Sequence, residues 1–244
     1  MQVTNLAYFY ETSKKVRGGK WVWVKDGNGE MRGNVLLGGT IKNPKKGFDH
    51  LYAAQLVQYT PGAGCLIFRS FKVQAATTAA TDTDIYVEGD GYSDAPEVGM
   101  IVMKAPSALV VETLEADTTT GAVTKTVADY TGQSAKITAV VFDEANKKFK
   151  ITLDNALGSL TTDDILVEAT GTAKSASAKV LVPNPNTFIE ADRDLMPTEG
   201  YGIENANYSI STVYNKQAWI ARMQPLPAYV LANNRSLIDG IFWI

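Results

Sequence analysis

Apolar runs that alternate with polar residues, or are continuously β-branched, recur along the chain. They include Trp21-Val22-Trp23-Val24, Ile85-Tyr86-Val87, residues 100–103, residues 136–142, residues 149–153 and Ile165-Leu166-Val167. Such runs suit a pleated surface with one or both faces buried. Turn signals separate them at short intervals: Asp26-Gly27-Asn28-Gly29, Pro61-Gly62, Gly89-Asp90-Gly91 and Asp143-Glu144-Ala145-Asn146. Two hairpins are predicted. The first runs through residues 21–24, turns at 26–29 and returns as 30–36. The second runs through 136–142, turns at 143–147 and returns as 148–153. In that return strand Phe149, Ile151 and Leu153 share one face, and Lys148, Lys150 and Thr152 the other. The expected fold is all-β and mainly antiparallel, with a barrel- or sandwich-like body, short helices and irregular terminal segments. Helices are expected at 215–223 and at 236–241, the second capped by Ser236 and separated from the first by Pro225 and Pro227.

A weak repetition runs through the pattern. Leu56-Val57, Ile101-Val102 and Leu166-Val167 each follow a turn-like stretch and precede a polar step. Each reads as a turn feeding a strand. Their spacings, 45 and 65 residues, are unequal, which excludes a solenoid.

Charge divides the chain further. Residues 1–46 hold nine Lys and Arg against Glu11, Asp26 and Glu30, a net of +6, and the remaining residues carry a net of -9. Three segments are expected: a basic N-terminal arm with a hairpin (1–47), a Thr- and Ala-rich β body (48–182), and a Pro-, Asn- and Tyr-rich segment (183–244) packing on the body or on an oligomer interface. The arm and the body would then meet different surfaces. The last residues, Ile241-Phe242-Trp243-Ile244, are apolar and are expected in a core or an interface. Trp21, Trp23, Ile241, Phe242 and Trp243 are the candidate interface residues. No signal peptide and no membrane insertion are expected, since no basic start leads into a long apolar run.

Composition narrows the chemistry. One histidine, His50, and one cysteine, Cys65, leave no zinc cluster and no intrachain disulfide. His50 and Cys65 could in principle form a base and nucleophile pair, but Cys65 sits in an apolar strand start and reads as structural. Paired carboxylates occur at Asp82/Asp84 and Asp192/Asp194, types that can serve a hydrolase or a cation. Residues 82–88 fail as an EF-hand loop because Tyr86 and Val87 stand where an oxygen ligand and a glycine are needed. A Ca²⁺ ion near Asp82 and Asp84 stays an open alternative. Asp163-Asp164 reads as a turn cap before Ile165. Gly18-Gly19-Lys20 lacks the spacing of a phosphate loop. No catalytic, cofactor or metal residue is therefore assigned, and the net charge of -3 gives no basic excess for nucleic acid.

Three segments carry a resemblance: residues 51–70 (LYAAQLVQYTPGAGCLIFRS), 81–106 (TDTDIYVEGDGYSDAPEVGMIVMKAP) and 136–169 (KITAVVFDEANKKFKITLDNALGSLTTDDILVEA). Followed by Pro183-Asn184-Pro185-Asn186 and Pro225-Leu226-Pro227, they resemble the head fiber or capsid decoration proteins of tailed bacteriophages. In that family glycine often precedes the entering strand; here Ala54-Gln55 and Asp163-Asp164 stand in those places. The resemblance implies a non-enzymatic virion protein, made in the host cytoplasm, that assembles as a homotrimer and docks on the major capsid protein. The alternative function is an adhesin module that binds a host-surface glycan.

Overall fold

The computed structural model describes residues 25–26, 29–30, 34–46, 49–89, 94–195, 209–214, 218–219, 223–233 and 241–242. In chain order the strands are β1 (Lys25–Asp26), β2 (Gly29–Glu30), β3 (Asn34–Thr40), β4 (Asp49–Leu51), β5 (Leu56–Thr60), β6 (Gly64–Ile67), β7 (Ser70–Lys72), β8 (Asp84–Glu88), β9 (Ile101–Lys104) and β10 (Val110–Ala116). They continue as β11 (Val123–Asp129), β12 (Ser134–Asp143), β13 (Lys148–Leu153), β14 (Ile165–Glu168), β15 (Thr187–Ile189), β16 (Arg193–Leu195), β17 (Ser209–Tyr214), β18 (Ala218–Trp219) and β19 (Ile241–Phe242). One short helix, α1 (Ala228–Asn233), lies among the described residues. The fold is mostly antiparallel β, as the alternation predicts, with sandwich-like sheets.

Two sheets dominate. A six-stranded sheet runs in the order β7-β14-β9-β12-β13-β8, and a five-stranded one in the order β3-β17-β15-β5-β6. The six-stranded sheet curls until its two edges approach: Val73 bridges Val87, and the Gln74 amide donates to the Tyr86 carbonyl at 2.8 Å. Inside the curl lie Phe71, Val87, Val102, Ile137, Ile151 and Leu166. A second cluster includes Leu56, Met103, Val167, Phe188 and Tyr229 and lies between the sheets. A third, with Leu51, Val57, Cys65, Ile67 and Leu195, covers the far face of the five-stranded sheet.

These clusters explain the repeated apolar pairs. Successive residues of a strand point to opposite faces. Leu56 enters the middle cluster and Val57 the outer one; Leu166 enters the curl and Val167 the middle cluster. A strand buried on both faces needs a continuous apolar run. The turns that feed these strands are built alike. The amides of Gln55, Met100 and Asp164 donate to the carbonyls of Tyr52, Glu97 and Thr161 at 3.0, 3.2 and 3.1 Å. The side chain of each closing residue accepts the amide of each opening one, at 3.1, 3.3 and 2.8 Å. Ala54, in the first turn, has φ 65. The left-handed conformation costs an L-residue about 1–2 kcal/mol, and here the alanine methyl is fully buried in the middle cluster.

The second hairpin forms as expected, with Phe142 opposite Phe149 and Asp143 opposite Lys148. Its turn is closed by the Asp143 carboxylate, which accepts from the Asn146 amide at 3.1 Å. The first hairpin is described only next to its turn. Lys25 pairs with Glu30 and Asp26 with Gly29, and residues 34–36 of the expected return strand belong to β3, which pairs with β17. Residues 21–24 lie outside the described residues. A helix through 215–223 is contradicted at Ala218–Trp219, a strand paired parallel to Ile241–Phe242; of the helix expected at 236–241 only Ile241 is described, and it lies in that strand. Among the described residues the helix stands at 228–233, where Tyr229 and Val230 are buried and the Tyr229 hydroxyl donates to the Val182 carbonyl at 2.9 Å. The five-stranded sheet draws strands from all three sequence segments: β3 from the arm, β5 and β6 from the body, β15 and β17 from the C-terminal segment.

Candidate functional site

Charged residues meet where the chain passes from one sheet to the other. Arg69 lies between β6 and β7, on that crossing, and its side chain has no exposed surface. Asn43 and Lys45 follow β3, Asp49 sits on β4, Gln55 closes the turn before β5, Asp94 precedes β9, and Glu168 ends β14. The Arg69 guanidinium donates to the Asn43 carbonyl at 2.6 Å, to Asp49 at 2.7 Å and to Glu168 at 3.2 Å. Its Nε lies 3.4 Å from Asp94. Lys45 reaches Asp94 at 3.0 Å and Asp49 at 3.5 Å. Gln55 donates to Asp94 at 2.6 Å, and Asn43 donates to Glu168 at 2.9 Å.

This is a clamp of two cations and three carboxylates across the inter-sheet junction. Burial alone would raise the Asp49 pKa; Arg69 and Lys45 overcome it and hold the carboxyl below its usual range. Burial also dominates at Glu168, and there the pull of Arg69 does not overcome it, so the pKa is raised. Burial would lower the Arg69 pKa, but Asp49, Glu168 and Asp94 raise it further. The charge count agrees with these directions. Three carboxylates against two cations leave one negative charge in excess, and a proton on Glu168 would neutralise it. A cavity of about 240 Å³ opens beside the clamp, bordered by Lys45, Arg69, Glu97, Met100 and Glu168.

The residues singled out from the sequence are placed as follows. His50 is buried on β4; its Nδ1 lies 2.5 Å from Asp194, and its ring meets Tyr52 edge-on at 4.4 Å. Cys65 is a free, buried thiol in the outer cluster. Burial pushes its pKa up to about 11, against a hydrogen bond from the Gly39 backbone. A thiol so protonated is a poor nucleophile. Asp192 accepts the Ala53 amide at 2.7 Å, so this carboxylate pair fixes a turn and a histidine.

Asp82 accepts from the amides of Thr78 and Ala79 at 2.7 and 2.9 Å. Asp84 pairs with Lys150 at 2.6 Å and accepts from Thr152 at 2.7 Å. Both carboxyls are held below their usual range, Asp82 chiefly by the Ala79 amide and Asp84 chiefly by Lys150. They border a shallow depression of about 440 Å³ with Thr77 and Tyr86. Asp164 caps its turn, as expected, and binds Lys104 at 2.9 Å. Among the described residues no group of three or more His, Cys, Asp and Glu is placed to hold a metal ion, and no helix is long and apolar enough to cross a membrane.

Of the candidate interface residues, Trp21, Trp23 and Trp243 lie outside the described residues. Ile241 and Phe242 form the parallel ladder with Ala218 and Trp219. Two features were missed by sequence reasoning. The clamp has no local signature, since Asn43 and Glu168 stand 125 positions apart. The hairpin of β10 and β11 did have one: two runs of alternating character flank a turn that opens on Asp117 and closes on Gly121. The chain matches no known protein family, no curated protein and no solved structure.

Proposed function

We propose that this chain is a non-enzymatic structural component of a tailed-phage virion. It decorates or forms fibers on the capsid surface by assembling with itself, as a trimer, and docking on the major capsid protein. The observation that carries the non-catalytic part is the clamp. The densest gathering of charged side chains among the described residues is committed to joining two sheets, with Arg69 bound by three carboxylates. The virion setting rests on the phage-like segments at 51–70, 81–106 and 136–169. The basic arm docking on an acidic capsid surface follows from the +6 and -9 division.

The test is co-sedimentation of the purified chain with capsids assembled from the major capsid protein of the proposed virion. Saturable, salt-sensitive pelleting is expected, together with a light-scattering mass of three chains. A chain that stays monomeric at micromolar concentration and remains in the supernatant at low salt overturns the reading.

A further inference from the structure

Two buried charged atoms of the clamp make no hydrogen bond among the described residues: Asp49 Oδ1 and Arg69 Nε. A buried polar group without a partner costs free energy and calls for a reason. The two orphans flank one pair of side chains. Asp49 Oδ1 lies 3.5 Å from Lys45 Nζ. Arg69 Nε lies 3.4 Å from Asp94 Oδ2. Between them Lys45 Nζ donates to Asp94 Oδ1 at 3.0 Å, with the lysine side chain 5% exposed and the aspartate 1%. An ammonium carries three N–H donors, and among the described residues this one makes that single hydrogen bond. Taking an ion pair out of water is costly unless further hydrogen bonds complete it. Here they do not, and the bare atoms stand where a reaction between the two side chains would use them.

We propose that Lys45 and Asp94 condense into an intramolecular isopeptide bond, with Asp49 relaying a proton and with Gln55 and Arg69 holding the oxygen that stays. Lys45 supplies the nucleophile once a proton has passed from its nitrogen to Asp49. Arg69 and Lys45 keep Asp49 ionised against burial, so its bare Oδ1 is in the accepting form. The electrophile is Asp94 Cγ. Oδ1 of that carboxyl faces the amine, and Oδ2 accepts from Gln55 Nε2 at 2.6 Å. As Cγ becomes tetrahedral, negative charge gathers on Oδ2. The idle Arg69 N–H then joins Gln55 as a second donor to that oxygen. Donors aimed at charge that develops only during a reaction stabilise its transition state.

The atoms balance. Lys45 Nζ forms a bond to Asp94 Cγ, and the bond from Cγ to Oδ1 breaks. Of the three ammonium protons, one stays on the amide nitrogen. Two leave with Oδ1 as water, one passed directly across the 3.0 Å contact and one through Asp49. The ammonium and the carboxylate cancel, so the net charge of the clamp is unchanged and no outside reagent enters. The fold supplies the rate, since groups held in contact react as if at effective concentrations of about 10⁵–10⁸ M. A neutral amide replaces a buried ion pair. The bond ties the segment after β3 to the segment before β9, and thus one sheet covalently to the other. The structure shows the chain before this reaction. The step happens once per chain and acts on no outside substrate, so it goes beyond the virion reading and does not depend on it.

The test is mass spectrometry of the full-length folded chain after prolonged incubation at neutral pH. The intact mass should fall below that of the sequence by one water. Cyclisation at Asp26-Gly27 or Asp90-Gly91 removes the same mass, so a tryptic digest decides. A branched peptide is expected in which residues 43–46 are joined to residues 73–104, with cleavage blocked after Lys45. Lys45→Met and Asp94→Ala should lack it. Asp49→Asn keeps both reacting residues and should slow the bond by about 10²-fold or more, while a circular dichroism spectrum like the parent's shows that the variant folds. A folded parent chain that keeps its full mass and releases free peptide 43–45 overturns the inference. So does loss of water without the branched peptide. A branched peptide that forms in Asp49→Asn at the parent's rate overturns the assigned chemistry.

Discussion

Replacing Arg69 by methionine tests the clamp directly. Methionine keeps the length and apolar bulk of the arginine's aliphatic stem and deletes every donor. The loss removes the bonds at 2.6 Å to Asn43, 2.7 Å to Asp49 and 3.2 Å to Glu168. Removing one partner of a buried ion pair costs about 3–5 kcal/mol, because the other is left buried and uncompensated. Here the carboxylates keep some partners. Asp94 retains Lys45 and Gln55, Glu168 retains Asn43, and Asp49 retains Lys45. That places the expected loss near the lower bound, about 3 kcal/mol. With a urea slope of about 3 kcal/mol per molar, near the upper end of the usual range, the midpoint should fall by about 1 M. The control is Lys179→Met, whose partner Asp129 is even more exposed than the lysine itself; an exposed pair contributes less than about 1 kcal/mol. Adding Glu168→Gln to Arg69→Met should recover part of the loss by removing one uncompensated charge. If Arg69→Met shifts the midpoint no more than Lys179→Met does, the clamp does not hold the sheets together and the reasoning fails.

Protonation, backbone geometry and thiol burial can each be tested in the same way. The pKa of Glu168 is raised above 4.5 in the folded chain, so the native state takes up a proton before the unfolded state does. The urea midpoint should therefore rise as pH falls from 7 towards 4.5, then drop below about 3.8 as Asp49, whose pKa is lowered, loses its contribution; Glu168→Gln should flatten the rise and leave the drop, and an unchanged profile would refute the assignment. Gly64, the first residue of β6, has φ +103 and a methyl there would collide with the Thr40 carbonyl oxygen, whereas Gly62, in the turn before it at φ +76, faces open space; Gly64→Ala should lower the melting temperature well beyond the effect of Gly62→Ala, which carries only the left-handed penalty of about 1–2 kcal/mol. Cys65 should resist Ellman's reagent at pH 8 in the folded chain and react at once in denaturant, and fast native labelling would contradict its burial.

The parts of the fold legible in the sequence are those set by neighbours in the chain. The alternation of residues 148–153 and the turn at 143–147 name a hairpin because strand, turn and return lie within twenty positions of one another. The continuous apolar pair in β14 signals burial on both faces, although the sequence alone does not say against what. The clamp escaped because it is a product of topology. Lys45 counts as one more charge of a basic arm until the crossing at Arg69 brings Asp49 and Asp94 to it. The expected helix at 215–223 failed because a parallel strand pair formed between Ala218–Trp219 and Ile241–Phe242 overrode local propensity. Ala54 shows the same override at one residue: a turn shape that favours glycine is adopted by alanine, whose methyl the core then covers.

The interleaving of the two sheets bears on how the chain is made. All six strands of the curled sheet lie between Ser70 and Glu168, a single contiguous stretch that can close as soon as it has left the ribosome. The other sheet begins earlier and finishes much later. Its β5 and β6 can pair at once, but β5 must wait for β15, and β3 must wait for β17, at residues 209–214. Throughout that interval two strand edges face solvent without their partners. Slow translation across residues 170–210, or a stall there, would lengthen the exposure of those edges and favour aggregation over folding. Synonymous changes confined to that stretch should thus alter soluble yield without altering the finished protein.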